Sequence, residues 1–328
     1  MSEDSQNLNT LWLFVTLFLF YLAMTAYVVP YTALISELGH HEDDRLSIST
    51  IISITWALGF LVGNTVHALF ETLRESWGAV SAFQMILAGF SLIGCIAMLV
   101  PVFFLKEKKY ALQLRTEGSV WSSVSKVFGQ RNFRIFAGSD LFYWLSLTFI
   151  QSGVAYFVSI LMGRPIGDAT LFMMIGFLTS FLFYLPIMRL VKSLGKKPLM
   201  ITAFLVFGVI FLVTSQYSSL GDSNVLFFGL AIASAFPLAV FGILPNAIIA
   251  DIVYQSGESG VSHSGMFYAA RNFTMKLGIA LANLIFPSLL VFGKSTQDPT
   301  GVQMIALAAF FFCIIGLVIF LLYKPRKA

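Results

Sequence analysis

Charge is scarce in this chain. Asp, Glu, Lys and Arg make up 11% of its 328 residues, against about 25% in an ordinary soluble domain, which excludes a water-soluble globule of this length. Cysteine is nearly absent. Cys95 and Cys313 both fall in apolar runs without metal-ligand spacing, so neither a disulfide framework nor a thiolate metal site follows. The four histidines are scattered, the acids are few, and there is no phosphate-binding glycine loop, paired aspartate or His/Glu motif, so an intramembrane enzyme is not expected. The net charge of +4 does not call for nucleic acid, because basic loops hold a membrane protein in its orientation. A cleavable signal peptide is missing as well: "MSEDSQNLNT" is polar and acidic, and the apolar run behind it is too long for an h-region.

Apolar surface is what the chain has. Hydrophobic residues reach 58%, phenylalanine alone occurs 34 times, and the mean hydropathy is +0.85. A spanning helix needs about 20 mostly apolar residues. Nine runs meet this: roughly 10–37, 47–70, 79–105, 135–163, 169–193, 198–219, 225–254, 265–293 and 301–323. Lipid offers the backbone no partners and the alternation of barrel strands is absent, so the class is all-α and polytopic.

The basic residues orient these runs. Segment 106–134 carries Lys106, Lys108, Lys109, Arg115, Lys126, Arg131 and Arg134; segment 189–197 carries Arg189, Lys192, Lys196 and Lys197; the tail carries Lys324, Arg326 and Lys327. With Arg45, all lie on one side, against Arg74, Arg164 and Lys294 on the other. The richer side is expected to be cytoplasmic, with the C-terminus inside and the N-terminus outside. The long basic loop divides the helices into three and then six. We therefore expect three parts: 1–105, the remainder of an N-terminal bundle; 106–134, a central cytoplasmic loop; and 135–328, a six-helix bundle. Since many transporters are two six-helix halves of three-helix repeats, the first three helices are expected to be missing from this chain. Within the loop, "SVWSSVSKVFGQRNF" (119–133) spaces Trp121, Val124, Val127 and Phe128 helically, which fits an amphipathic surface helix or a solvated linker.

Two cations stand inside one apolar run. Lys276 lies about 16 Å from a helix start near Gly265, roughly midway across the hydrocarbon core. Asn272 and Asn283 share its face, while Phe273, Leu277 and Leu284 point the other way, so a polar stripe toward the bundle interior is expected. Arg271 is some 140° away from Lys276 around the helix and about two turns from its end, and is expected to snorkel to the interface. Asp140, near a helix start, is the best candidate anion; it is either a structural helix-end acid or one end of a sugar-binding stripe with Trp144 and Gln151. Run 225–254 holds Pro237, Pro245 and Asn246 and reads as a broken or kinked helix. "HHEDDR" is a solvated loop whose acids can pair with basic residues of the same side as a gate closes.

Two segments carry a resemblance. They are "VPYTALISELGHHEDDRLS" (29–47) and "DIVYQSGESGVSHSGMFYAARNFTMKLGIALANL" (251–284). Pro30-Tyr31, Ala33-Leu34, Glu37-Leu38, Arg45, Asp251, Gly265, Phe267, Asn272-Phe273 and Lys276-Leu277-Gly278 resemble the pattern of the melibiose-carrier family, the glycoside–pentoside–hexuronide:cation symporters of the major facilitator superfamily. "MRLVKSLGKKPL" (188–199) resembles the basic loop repeated in that superfamily. The resemblance implies the last nine helices (3 + 6) of a twelve-helix fold, residue 10 beginning the fourth. It implies alternating-access symport of a sugar or glycoside with Na⁺ or H⁺, without a cofactor, by a monomer in the inner (plasma) membrane bilayer. Lys276, Asp140, Trp144, Gln151, Asn272 and Asn283 would meet substrate; Arg45, Asp251 and Arg271 would gate. The sequence departs from the pattern at Val28, where the fourth helix carries a cation-binding carboxylate, near Ile52, where sugar carriers have an Arg, and at Tyr254, near the loop's second Asp. Those losses also fit a degenerate, non-transporting relative, and on the incomplete reading this chain alone does not catalyse coupled uptake.

Overall fold

The structure is a computed structural model and describes residues 3–106, 120–221, 223–256 and 263–324. Its long helices are α1 (Glu3–Leu38), α2 (Glu42–Asn64), α3 (Val66–Trp77), α4 (Ala79–Phe104), α5 (Val120–Gly129), α6 (Arg131–Tyr156), α7 (Gly167–Leu194), α8 (Lys196–Ser215), α9 (Asn224–Ser256), α10 (Ser264–Leu290) and α11 (Thr300–Leu321). A π-helical turn, Phe157–Leu161, prolongs α6. Among the described residues, eight helices are long and apolar enough to cross a membrane: α1, α4, α6 with its π turn, and α7 to α11. The ninth expected run, 47–70, is shared between α2 and α3. At the break, the Thr65 hydroxyl and amide both bond to the Val62 carbonyl, at 2.7 and 3.0 Å, and this tight turn replaces the next α-helical bond.

By compactness the chain forms two units, Met1–Ser49 with Leu114–Ala328, and Thr50–Gln113. In the smaller unit α3 packs on α4. In the larger one α6 lies against α10 and α11, α11 against α8, α8 against α9, and α9 against α7. Helices in lipid gain little from hydrophobic burial against each other, so close backbone approach through small residues decides where they pack. Ala231, Ala235, Ala239 and Ala247 recur at multiples of four along α9 and are fully buried. On α11 the buried stripe is Val302, Ala306, Ala309, Cys313, Gly316 and Phe320. Of the two readings of run 225–254, a broken or a kinked helix, the break does not occur: α9 runs through Pro237 and Pro245 as one helix.

One glycine controls how closely α10 approaches α6. A Cβ on Gly278 would stand 2.7 Å from the Leu141 carbonyl oxygen and 3.3 Å from Trp144 Cβ. Backbone cannot yield as a side chain can. Gly278→Val is expected to push the two helices apart and cost about 1–3 kcal/mol, seen as a lower thermal midpoint; an unchanged midpoint would mean that the helices are not held at this distance.

The amphipathic segment is helical. In α5, Val127 is fully buried while Trp121 is 82% exposed. The helix rests on α6 and α10, and Ser123 lies 3.3 Å from Nδ1 of His263 at the start of α10. Burial, with Lys126 close by, holds the His263 imidazole below its usual range.

Candidate functional site

At one end of the larger unit, the corner between α1 and α2 meets the α7–α8 turn and the last turns of α9. Asp251 is the centre. Its Oδ1 accepts from Arg45 Nε at 2.7 Å, and its Oδ2 accepts from Lys196 Nζ. Arg45 also donates to the Gly39 carbonyl at 2.9 Å and lies 4.4 Å from the Tyr254 ring centre. Lys196 reaches Glu42 at 2.8 Å, Lys192 reaches Asp43 at 2.7 Å, and Ser264 donates to Glu37 at 2.7 Å. Two of the three acids of "HHEDDR", Glu42 and Asp43, are therefore paired with the basic α7–α8 turn, while Asp44 accepts from the His41 amide. Arg45, Lys196 and Asp251 are buried, so their charges depend on one another; the Asp43–Lys192 pair is exposed and contributes little.

Deeper along the helices lies a second polar group. Asp140 stands nine residues into α6, Arg271 seven into α10, and Asn246 ten before the end of α9. All three counts start from the same end of the bundle, which puts the side chains at one level, about 10–15 Å in. Arg271 Nε donates to Asp140 Oδ2 at 3.2 Å, and another guanidinium nitrogen donates to Asn246 Oδ1 at 2.5 Å. The Asp140 side chain is 2% exposed and that of Arg271 13%. Tyr143 stacks on Phe241 of α9 at 4.3 Å beside this group. The Trp144 indole N–H is buried beside the Asp140 carboxylate and makes no well-formed hydrogen bond among the described residues.

This corrects the expectation for Arg271. It does not snorkel outward, because a buried carboxylate and an amide lie within reach of its planar fork. Lys276, on the same helix, has different neighbours. That ammonium donates to the Thr25 hydroxyl of α1 at 2.6 Å and lies 5.7 Å from the Tyr21 ring. No carboxylate among the described residues lies within ion-pair distance of it; Asp140 is taken by Arg271. Asn272 and Gln151 are half-buried and Asn283 is exposed, and none of the three joins the Arg271–Asp140 pair.

Spacing along a helix could not reveal these groupings. Asp140 and Arg271 are 131 positions apart, and Arg45 and Asp251 are 206. Lys196 was visible only as one basic loop residue, and Thr25 and Tyr21 carried no signal above ordinary helix residues. Asn246 had one usable signal, its place directly after Pro245 in an apolar run.

The chain matches the model of the MFS/sugar transport protein family over residues 3–324. It is 22% identical to YagG of Escherichia coli (strain K12), a candidate glycoside/cation symporter, over 69% of this chain and 49% of that protein. It is 27% identical to YjmB of Bacillus subtilis (strain 168), an uncharacterized symporter, over 84% of this chain and 59% of that one. The chain thus spans about half the length of the curated relatives it matches. Its fold is similar to the crystal structure of the E. coli fucose:proton symporter FucP, with a TM-score of 0.65 at 13% identity, over 91% of this chain and 73% of that one. Together with the spanning helices and their buried polar groups, these matches show that the chain belongs to the MFS/sugar transport protein family.

Proposed function

We propose that the protein is a sugar or glycoside:cation symporter that works by alternating access in the plasma membrane. Its residues 1–105 and 135–328 belong to the two moving halves, and 106–134 is the loop between them. The observation that carries this reading is Lys276: a cation inside a spanning helix of a sugar-transport fold, held among the described residues by a hydroxyl and a ring and by no carboxylate. Such a charge is costly in lipid and is kept where it faces a cavity or a ligand. Hydroxyl-rich ligands suit it, with Asn272, Asn283 and Gln151 as further hydrogen-bonding groups, Trp144 as a stacking surface, and Asp140 acting through Arg271. No cofactor beyond the coupling cation is required, and a monomer suffices.

The charge asymmetry supports a cytoplasmic C-terminus and, with it, a cytoplasmic position for the Asp251 network. There Arg45 and Asp251 act as a gate that is shut while they are paired, with Arg271 one level deeper. A second reading, a non-transporting relative, is favoured by Val28, which leaves this stretch of α1 without a carboxylate.

Counterflow of labelled glycosides into proteoliposomes separates the two. Symport requires saturable exchange of at least one sugar of the panel, and Lys276→Ala is expected to lower it about 10–100-fold, the loss of one charge-assisted hydrogen bond. No exchange of any sugar, in a chain that is folded by thermal unfolding, would favour the second reading.

A further inference from the structure

We propose that Asp140 carries the coupling ion and that this ion is a proton. The inference rests on the symport reading and adds to it the ion and the residue.

Asp140 is the carboxylate set deepest in a spanning helix among the described residues. Glu37 and Asp168 stand in terminal turns, and Asp251 lies five residues from the end of α9 and is engaged by Arg45 and Lys196. A carboxylate at that depth marks an ion pathway or a relay more often than a scaffold. Among the described residues its one ion pair is with a guanidinium, and that contact decides between ions. A hard cation is held by several oxygen ligands. At Asp140 it would enter a shell whose nearest neighbour is already positive, and no group of three or more His, Cys, Asp or Glu is assembled to hold a metal ion among the described residues. A proton needs neither a shell nor space.

Each helix packed on α6 presents a known set of titratable groups. From α10 come Arg271, Tyr268 and Lys276. From α9 come Asp251 and Tyr254, and from α11 only Cys313. From α7 come Tyr184, Asp168, Arg189 and Lys192, and from α5 Lys126; α6 itself adds Arg131, Arg134, Tyr143 and Tyr156. Of these, only Arg271 makes an ion pair with Asp140.

The step is simple to balance. A proton from the aqueous phase adds to the Asp140 carboxylate, the Arg271 contact is lost, and the guanidinium keeps its own protons. Arg271, still charged and still bonded to Asn246, is then free to donate to a sugar hydroxyl. When the sugar leaves, Arg271 returns to Asp140 and the proton departs to the other aqueous phase. The Nε–H that Asp140 accepts cannot go to a sugar hydroxyl at the same time, so protonation of Asp140 and sugar binding at this donor favour each other.

The test uses the purified chain in lipid nanodiscs, wild type against Asp140→Asn and Asp140→Glu. Infrared titration without sugar, from about pH 4 to pH 9, is expected to show a protonated-carboxyl band that moves its midpoint in Asp140→Glu and vanishes in Asp140→Asn. Exchanging K⁺ for Na⁺ leaves the midpoint in place. Affinity for a glycoside that binds is expected to fall as pH rises, by up to about tenfold per unit, and to become flat in Asp140→Asn. Should Asp140→Asn fail to fold, the Asp140→Glu midpoint decides. A band independent of residue 140, a midpoint displaced by Na⁺, or a pH dependence that survives Asp140→Asn overturns the proposal. Absence of binding by every glycoside, with the band present and indifferent to Na⁺, supports Asp140 as a proton site and removes the symport reading instead.

Discussion

Asp251→Ala is expected to be the most damaging single substitution at the charged end of the bundle. Asp251 holds two cations, Arg45 on one oxygen and Lys196 on the other, and all three residues are buried. Breaking a buried pair from one side leaves an uncompensated charge and costs about 3–5 kcal/mol. Here two charges are stranded, although Lys196 retains Glu42 and Arg45 retains the Gly39 carbonyl. The loss should appear as a lowered thermal midpoint. Adding Arg45→Met should recover part of it, because one stranded charge is gone. Asp43→Ala removes the exposed pair with Lys192 and should cost less than about 1 kcal/mol. Equal effects of Asp251→Ala and Asp43→Ala would show that the network is not buried as described.

Arg271→Ala is expected to be comparably severe for the opposite sign of charge. It strands the Asp140 carboxylate, which has almost no access to solvent, at a cost of about 3–5 kcal/mol. Arg271→Lys should restore little, since an ammonium cannot span Asp140 and Asn246 as the guanidinium fork does. The double variant Asp140→Asn with Arg271→Gln replaces the ion pair with neutral amides and should lie well above the sum of the singles. Thermal unfolding of the four proteins checks this, and simple additivity would contradict it.

The helices were legible because lipid admits so few backbone solutions: a long apolar run has to be a helix, whatever it packs against. Run 47–70 was legible only in part, because a Thr-centred turn in an apolar stretch leaves hydropathy unchanged. Proline left two readings open for run 225–254, a break or a kink, and the continuity of α9 through Pro237 and Pro245 removes the first. At the site, spacing placed Lys276 on a polar face but could not choose a partner for Arg271. Snorkelling and burial depend on whether a carboxylate from another helix stands at the same level, and helix periodicity says nothing of that. Asp140 was recognised as the available anion; the cation it meets is set by the close approach of α10 to α6 at Gly278.

On the proposed reading the two cations of α10 have different duties: Lys276 faces the sugar throughout, whereas Arg271 holds Asp140 within the bundle and turns to the sugar only when Asp140 takes a proton. Equilibrium glycoside binding and thermal unfolding, measured together on Lys276→Gln and Arg271→Ala, test it most directly. The expected result is that Lys276→Gln loses about 10-fold or more in affinity with its midpoint unchanged, whereas Arg271→Ala loses midpoint. A fall in midpoint for Lys276→Gln as large as that for Arg271→Ala, with affinity intact, would contradict it.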